Sequence, residues 1–171
     1  AMFAGSVTAI FQTNVKRLFA YSSVAQLGYM MLGVSLSNIP GLMATILHIF
    51  NHALMKGALF MALGCVMYRL GTVSLGSMKG LSRSMPWTMG ALILGGLSLI
   101  GVPGTVGFIS KWHLILGTLE AGYWPIAILI VGSSLLAVIY IWKFVEVAYL
   151  EKGINHKQIV KEAPISMLAP L

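Results

Sequence analysis

The feature that most constrains the fold is a succession of apolar runs, each about long enough to cross the roughly 30 Å hydrocarbon layer of a membrane. Of the 171 residues, 58% are hydrophobic and only 9% are charged. In a typical soluble domain about a quarter of the residues are charged. The pattern therefore predicts an all-α, polytopic membrane helix bundle that interacts with the lipid bilayer.

The runs and the turns between them predict about five spans in a single membrane domain over residues 1–171. The predicted spans are 1–13, 15–36, 42–70, 87–120 and 124–149, followed by a polar tail over 150–171. Asn14 is a candidate cap for the second span. The first span is short and no signal peptide is visible, so we expect the chain to be a fragment of a longer protein.

The fourth run, 87–120, is too long for one straight span and too short for two. Its middle carries residues that interrupt helices: Gly101, Pro103, Gly104 and Gly107. Proline removes a backbone donor, and glycine leaves the helical conformation at low cost. We predict one broken helix that crosses the membrane once.

The distribution of charged residues supports this number of spans and predicts their orientation in the membrane. The net charge is +7, from eleven Lys and Arg against four acidic residues. If 87–120 crosses once, Lys16, Arg17, the 69–83 segment and the C-terminal tail share one side, which the positive-inside rule places in the cytoplasm. The basic residues are dispersed between apolar runs, so no nucleic-acid surface is predicted. We expect a multi-pass protein of the cell's inner (cytoplasmic) membrane.

The third run carries three protonatable side chains at a spacing of four residues. His48, His52 and Lys56 fall on one face of a helix, drifting by about 80° over roughly 12 Å. A lysine in mid-membrane costs about 2.5 to 3.5 kcal/mol on insertion scales, so such residues face a cavity or a partner. Because imidazole exchanges protons near neutral pH, the three groups form a candidate proton relay.

Metal binding is the competing interpretation of the two histidines, since imidazoles at i and i+4 can share a zinc ion. A third ligand is missing: no carboxylate precedes Glu120, and Cys65 lies thirteen residues beyond His52. A bis-histidine haem would need His113 from another helix. We predict no metal, no cofactor and no catalytic residues.

Two further lysines lie in apolar runs. Lys111 follows the predicted break, and unwound backbone with an ionisable side chain is typical of ion-translocating sites. Its alternative role is an interfacial anchor beside Trp112. Lys143 and Glu146 lie at i and i+3 in the last span, where we expect them to pair.

Three ordered segments carry a family likeness. They are residues 14–31 (NVKRLFAYSSVAQLGYMM), 48–60 (HIFNHALMKGALF) and 101–111 (GVPGTVGFISK). Together they resemble the C-terminal half of the antiporter-like membrane subunits of respiratory complex I, of Mrp cation/proton antiporters and of membrane-bound hydrogenases. The resemblance implies the second of two inverted five-helix repeats, each with a broken helix.

The resemblance also implies roles for particular residues. Lys16 matches the basic residue of the first motif, His48, His52 and Lys56 match the central relay, and Lys111 matches the ionisable residue of the second broken helix. Asn14 departs from the family, whose motif usually has Asp there. The first repeat, with its Glu and Lys pair, is absent, so this segment alone is not expected to pump.

The predicted function is proton translocation, with Na⁺ as a second candidate ion, by a subunit without redox chemistry of its own. Its expected partners are other membrane subunits of a multisubunit complex. A structural scaffold whose polar residues join helices, and a secondary solute transporter, are the alternatives. The sequence leaves open whether the complex is a quinone reductase, a hydrogenase or an Mrp antiporter. It also leaves open the direction of transport and whether the chain is a fragment or a natural short subunit.

Overall fold

A computed structural model describes residues 1–151 and 160–170. Positions 152–159 and 171, which make up much of the predicted polar tail, lie outside the described residues. The described part is helical, which confirms the predicted all-α class. The helices are α1 (Met2–Ile10), α2 (Val15–Ser35), α3 (Ile39–Leu70), α4 (Pro86–Ile100), α5 (Val106–Glu120), α6 (Trp124–Val145) and the short α7 (Ile165–Leu168).

Local chemistry sets the helix ends. The Asn14 side chain accepts hydrogen bonds from the backbone N–H groups of Lys16 and Arg17 and so caps α2. Asn38 caps α3 in the same way, with Pro40 in the first turn, so α3 begins at Ile39 rather than at the predicted residue 42. Gly71, in the left-handed conformation with φ 68°, ends α3. One π-helical turn, Glu146–Leu150, extends α6.

Contacts between the helix ends show which ends lie on the same side of the bundle. At one end, Val15 N–H donates to Val73 O at 3.0 Å. Lys143 Nζ donates to Ile10 O at 3.1 Å at the same end. At the opposite end, Asn38 Nδ2 donates to Gly117 O at 2.7 Å. Helices α4 and α5 together therefore traverse the bundle once.

The first of these ends, formed by residues 11–14, 71–85 and 146–151, is here called the basic end. Most of the basic residues of the described part lie in this end or within three residues of it: Lys16, Arg17, Arg69, Lys79, Arg83 and Lys143. The turns at the opposite end, 36–38 and 121–123, contain no Lys or Arg. Glu162, from the C-terminal segment, accepts a hydrogen bond from Trp87 N–H at 2.9 Å and so joins the basic end.

The expected pair of Lys143 with Glu146 does not form. Lys143 Nζ instead donates to the carbonyls of Ile10, at 3.1 Å, and Gln12, at 3.4 Å. These carbonyls lie at the C-terminal end of α1, where a cation complements the helix dipole. Within residues 1–151 and 160–170, the salt bridge present is Lys79–Glu151, at 2.7 Å.

Many large apolar side chains are exposed on the outside of the bundle, among them Phe50, Leu94 and Leu135, as contact with a bilayer requires. Ile39–Leu70 and Trp124–Leu150 are long and apolar enough to cross a membrane. Helices α4 and α5, each of 15 residues, rise only about 22 Å apiece and would span the layer together. Inside, an apolar cluster around Phe19, Leu59 and Phe144 and a smaller one around Leu114 and Ile130 flank buried polar side chains.

Candidate functional site

The column predicted on α3 is the starting point of the site. His48 and Lys56 are buried, with 3% and 7% of their surface exposed, and His52 is half-buried. The two imidazole rings are stacked, with centroids 6.4 Å apart and planes inclined by 20°. The first and last members of the column therefore face the interior of the bundle and not lipid.

Lys56 is held by the first turns of α2. Its ammonium donates to Phe19 O at 2.6 Å and to the hydroxyl of Ser22. It also lies 5.5 Å from the centroid of the Phe19 ring, within the range of a cation–π contact. An ammonium removed from water needs such acceptors, because an unpaired buried charge is strongly destabilising.

His48 joins α3 to two other helices. Its Nε2 lies 2.8 Å from Gln26 Oε1 on α2, and its Nδ1 lies 2.7 Å from Ser110 Oγ on α5. An amide oxygen only accepts hydrogen bonds, so Nε2 carries a proton. In the neutral ring Nδ1 then accepts from the Ser110 hydroxyl, which also lies 3.2 Å from Gly107 O. Both ring nitrogens are thus engaged with neighbours outside the column.

Backbone hydrogen bonding is interrupted between α4 and α5. Helix α4 ends at Ile100, and Gly101 and Gly104 have φ values of 88° and 92°, in the left-handed region that glycine tolerates. Pro103 has no N–H to offer to the carbonyl of Leu99, four residues earlier. Asn51 of α3 donates to Val106 O at 2.8 Å, which ties the start of α5 to the column helix.

Lys111 uses the carbonyls that the interruption frees. Its ammonium donates to Leu99 O at 2.8 Å, to Ile100 O at 2.9 Å and to Ser134 Oγ at 3.1 Å. Only 6% of the residue is exposed. The C-terminal end of a helix carries partial negative charge, so α4 stabilises the cation at the point where it ends.

Tyr29 lies at the centre of the site. Its ring centroid is 4.9 Å from Lys111 Nζ and 5.9 Å from the His48 ring, and its hydroxyl donates to Ser133 Oγ at 2.9 Å. Ser134 Oγ lies 3.4 Å from the same hydroxyl. The aromatic ring therefore connects the column helix to Lys111 and to α6.

The residues that the structure brings together are not the same set as those predicted from the sequence. His48, His52, Lys56 and Lys111 lie in one region, whereas Lys16 is exposed in the first turn of α2 at the basic end. Sequence reasoning missed the residues that connect the charged groups: Ser22, Gln26, Tyr29, Ser110, Ser133 and Ser134. Three of these lie on one face of α2 at i, i+4 and i+7, which was the available signal.

Two buried polar atoms in the described part have no hydrogen-bond partner: His52 Nε2 and the Tyr140 hydroxyl. Over the same residues, no three His, Cys, Asp or Glu side chains come together to hold a metal ion. The chemistry available at the site is thus that of amines, imidazoles and hydroxyls, which exchange protons.

Buried lysines and a broken helix inside a membrane helix bundle are features typical of the sites of ion-translocating membrane proteins. Residues 1–137 match the family model described as "NADH:quinone oxidoreductase/Mrp antiporter, TM". The chain belongs to this family of integral membrane subunits, which confirms the resemblance found in its motifs.

Among curated relatives, NADH-quinone oxidoreductase subunit N of Desulforudis audaxviator is 44% identical over 161 residues, which cover 94% of this chain and 32% of the relative. F(420)H(2) dehydrogenase subunit L of Methanosarcina mazei is 33% identical and is matched over 100% of this chain and 27% of its own length. The chain thus spans about a third of the length of the curated relatives it matches.

Solved structures show the same architecture. A chain of the Mrp complex from a Dietzia species superposes with a TM-score of 0.85 at 32% identity, covering 90% of this chain and 29% of that one. A chain of the membrane-bound sulfane sulfur reductase, an archaeal respiratory membrane complex, gives a TM-score of 0.91 at 28% identity, covering 99% and 28%. The fold of this segment is therefore shared by several membrane complexes.

Proposed function

We propose that this chain is part of a proton-translocating subunit of a multisubunit complex in the cytoplasmic membrane. Protons pass among His48, His52, Lys56 and Lys111, and the subunit contributes no redox chemistry of its own. Its partners are other membrane subunits, consistent with the multisubunit complexes in which related chains occur. The matched relatives are at least about three times as long as this chain, and in a subunit of that length the segment works together with the other repeat that the family resemblance implies.

The observation that carries this proposal is the pair of buried lysines, Lys56 and Lys111, each of which is hydrogen-bonded to polar groups of a neighbouring helix. Ionisable residues inside membrane helices are costly and mark ion pathways. A structural scaffold needs no buried ammonium groups to hold its helices together, since serine and glutamine form hydrogen bonds between helices at a lower desolvation cost.

The donor set favours protons over Na⁺ as the transported ion. Alkali and other hard cations are bound by oxygen ligands, above all carboxylates. In the described residues the four glutamates lie near the ends of the bundle or in the C-terminal segment, and none contacts His48, Lys56 or Lys111. The carbonyls that the interruption frees, those of Leu99 and Ile100, are occupied by the Lys111 ammonium, and the nitrogen bases of the site bind protons.

The test uses the full-length subunit in its intact complex, reconstituted into vesicles, with proton uptake followed by a pH-sensitive dye. We expect Lys56→Met to assemble and to lose at least about tenfold of the uptake, because positioned proton carriers contribute that much or more. Lys79→Met, at a partly exposed lysine of the basic end, is the matched control and should retain uptake.

A second variant separates transport from helix joining. Lys56→Arg keeps a positive charge and hydrogen-bond donors, but arginine does not release its proton in proteins. A relay predicts that the arginine variant assembles and loses uptake. Full proton uptake by either Lys56 variant would contradict the proposal. Uptake that is lost in Lys56→Met but retained in Lys56→Arg would also contradict it and would favour a scaffold role for Lys56.

A further inference from the structure

Helix α4 has no side-chain cap of its own at the basic end. Met85, the residue before it, makes no side-chain capping hydrogen bond, the first turn contains no acidic residue, and Pro86 has no N–H to offer. The N–H groups of a first helical turn have no partner within the helix and carry partial positive charge. Helix α4 therefore depends on another part of the chain for an acceptor at this end.

Glu162 of the C-terminal segment supplies that acceptor. Its Oε2 accepts from Trp87 N–H at 2.9 Å, and its Oε1 accepts from the Thr88 hydroxyl at 2.6 Å. Thr88 is fully buried. One carboxylate thus binds a backbone donor and a side-chain donor of the first turn of α4, and hydrogen bonds to a charged acceptor are about twice as strong as neutral ones.

The carboxylate is itself held in place by contacts outside α4. Arg69, at the end of α3, donates to the Glu162 carbonyl at 2.5 Å, and Ala163 N–H donates to Glu162 Oε1 at 3.2 Å. Ala163 is buried, and Val160 packs against the larger apolar cluster. The position of Glu162 is therefore set by α3 and by the core of the bundle, and not by α4 alone.

The other end of α4 carries the carbonyls that bind Lys111. Leu99 O and Ile100 O accept from its ammonium at 2.8 and 2.9 Å. Helix α4 has 15 residues and forms a rigid rod of about 22 Å. Because the helix is interrupted over 101–105, α5 does not extend this rod. A shift of the first turn along the axis of α4 therefore moves both carbonyls by a similar distance.

We propose that Glu162 is a positioning residue for Lys111: by holding the first turn of α4, it keeps the carbonyls of Leu99 and Ile100 within hydrogen-bonding distance of the Lys111 ammonium. This inference rests on the proposed proton translocation. Glu162 carries no transported proton in this role, and its effect passes through the half-helix. A displacement of about 1 Å at a positioned group can lower a rate by about 10², so a loosened α4 slows proton exchange at Lys111.

The first measurement is proton uptake by the intact, reconstituted complex. Glu162→Ala should assemble and lower uptake at least about fivefold, because both donors of α4 lose their acceptor. Glu162→Gln keeps an oxygen that accepts hydrogen bonds and should retain uptake within about twofold. Glu151→Ala, at a glutamate of the same end that pairs with Lys79, is the matched control and should leave uptake unchanged.

The Lys111→Glu background separates positioning from a general loss of stability. An ionised carboxylate at position 111 has no proton to donate to the carbonyls of α4, so their position no longer affects the remaining uptake. In this background Glu162→Ala should lower uptake by less than about 1.5-fold, because two residues that act through one contact are not additive. A purely structural role of Glu162 predicts the same fold loss in both backgrounds.

Each outcome decides the question. Equal fold losses in the two backgrounds, undiminished uptake in Glu162→Ala, or a loss in Glu162→Gln as large as in Glu162→Ala overturns the positioning role. Should Glu162→Ala fail to assemble, Thr88→Val provides the same comparison, since it removes one donor and leaves Glu162 in place; it should lower uptake at least about twofold in the Lys111 background only.

Two further readouts complete the test. Should Lys111→Glu retain too little uptake to measure, hydrogen exchange of the amides in 98–102 decides: it should rise in Glu162→Ala and not in Glu162→Gln, and unchanged exchange overturns the inference. Undiminished uptake in Lys56→Met would instead remove the proposed function itself, so the two failures are distinguishable.

Discussion

Lys56 and Lys111 are the same residue at nearly the same burial, 7% and 6% exposed, on two different kinds of backbone. Lys56 lies within the unbroken, 32-residue α3, and its ammonium reaches to another helix for one carbonyl and one hydroxyl. Lys111 lies beside a helix that ends in mid-bundle, and it takes two carbonyls from that end and one hydroxyl from α6.

The difference shows what the interruption contributes. In an unbroken helix every interior carbonyl is bonded to an N–H four residues on, and none is free for a cation. Pro103 and the turn around Gly104 leave the carbonyls of Leu99 and Ile100 without such partners. The broken helix thus supplies a preformed site for an ammonium at a depth where water is scarce.

The largest effect is expected from closing the space between the two half-helices. A Cβ at Gly107 would overlap the carbonyl oxygen of Ser98, whereas a Cβ at Gly57 of α3 would meet nothing within 4 Å. Because the overlap is with backbone, which cannot move aside, we expect Gly107→Ala to destabilise the complex by about 3 kcal/mol or more. The thermal midpoint of the detergent-solubilised complex measures this.

Gly57→Ala is the control on the unbroken helix. It should leave the thermal midpoint unchanged or raise it, since alanine is favoured over glycine in a helix interior by about 0.5–1 kcal/mol. Equal effects at the two positions would mean that the half-helices do not need their close approach.

A smaller difference in stability is expected between variants of the two serines that accept hydrogen bonds from Lys56 and Lys111. Ser22→Ala leaves the Lys56 ammonium with one hydrogen-bonded acceptor, the carbonyl of Phe19, and should destabilise by about 1.5–3 kcal/mol, the range for hydrogen bonds to charged groups. Ser134→Ala leaves Lys111 with two carbonyls and should cost less. If Ser134→Ala lowered the thermal midpoint more, the carbonyls of the interruption would not be the main support of Lys111.

A single hydrogen bond ties the two regions together. Asn51→Leu removes the donor to Val106 O and should destabilise by about 1 kcal/mol, the usual net value of one hydrogen bond. Because Val106 begins α5, hydrogen exchange of the amides in 101–107 should rise relative to amides of α3. Unchanged exchange in that segment would show that α3 does not position the start of α5.

The smallest effect is expected at Lys16, the predicted relay residue that the structure leaves exposed in the first turn of α2. We expect Lys16→Gln to change proton uptake by less than about twofold, since a solvated surface charge contributes little. Its relay role stays a prediction from the family motif. A loss as large as that expected for Lys56→Met would establish that role.

The parts of the site that are local in sequence were predictable. The spacing of His48, His52 and Lys56 determines a common helix face without any knowledge of neighbours. Pro103 and its flanking glycines likewise predict an interruption from backbone chemistry alone, and α4 ends at Ile100.

The parts that depend on packing between helices were not predictable. Ser22, Tyr29 and Ser134 occur in apolar runs where single hydroxyl residues usually serve packing, and only the fold brings them to the lysines. The expected Lys143–Glu146 pair was wrong for the same reason. The Lys143 ammonium donates to carbonyls at the end of α1, and the spacing of residues within α6 gives no information about a neighbouring helix.

The most direct test of the account is the exchange of Lys111 for residues that differ in their ability to hold a proton. In the reconstituted complex, Lys111→Met should assemble and lose most of the proton uptake. Lys111→Glu should be milder, because a carboxylate still binds and releases a proton whereas a thioether does not. Undiminished uptake in Lys111→Met would remove Lys111 from the proton path and leave it as a structural cation that satisfies the carbonyls at the end of α4.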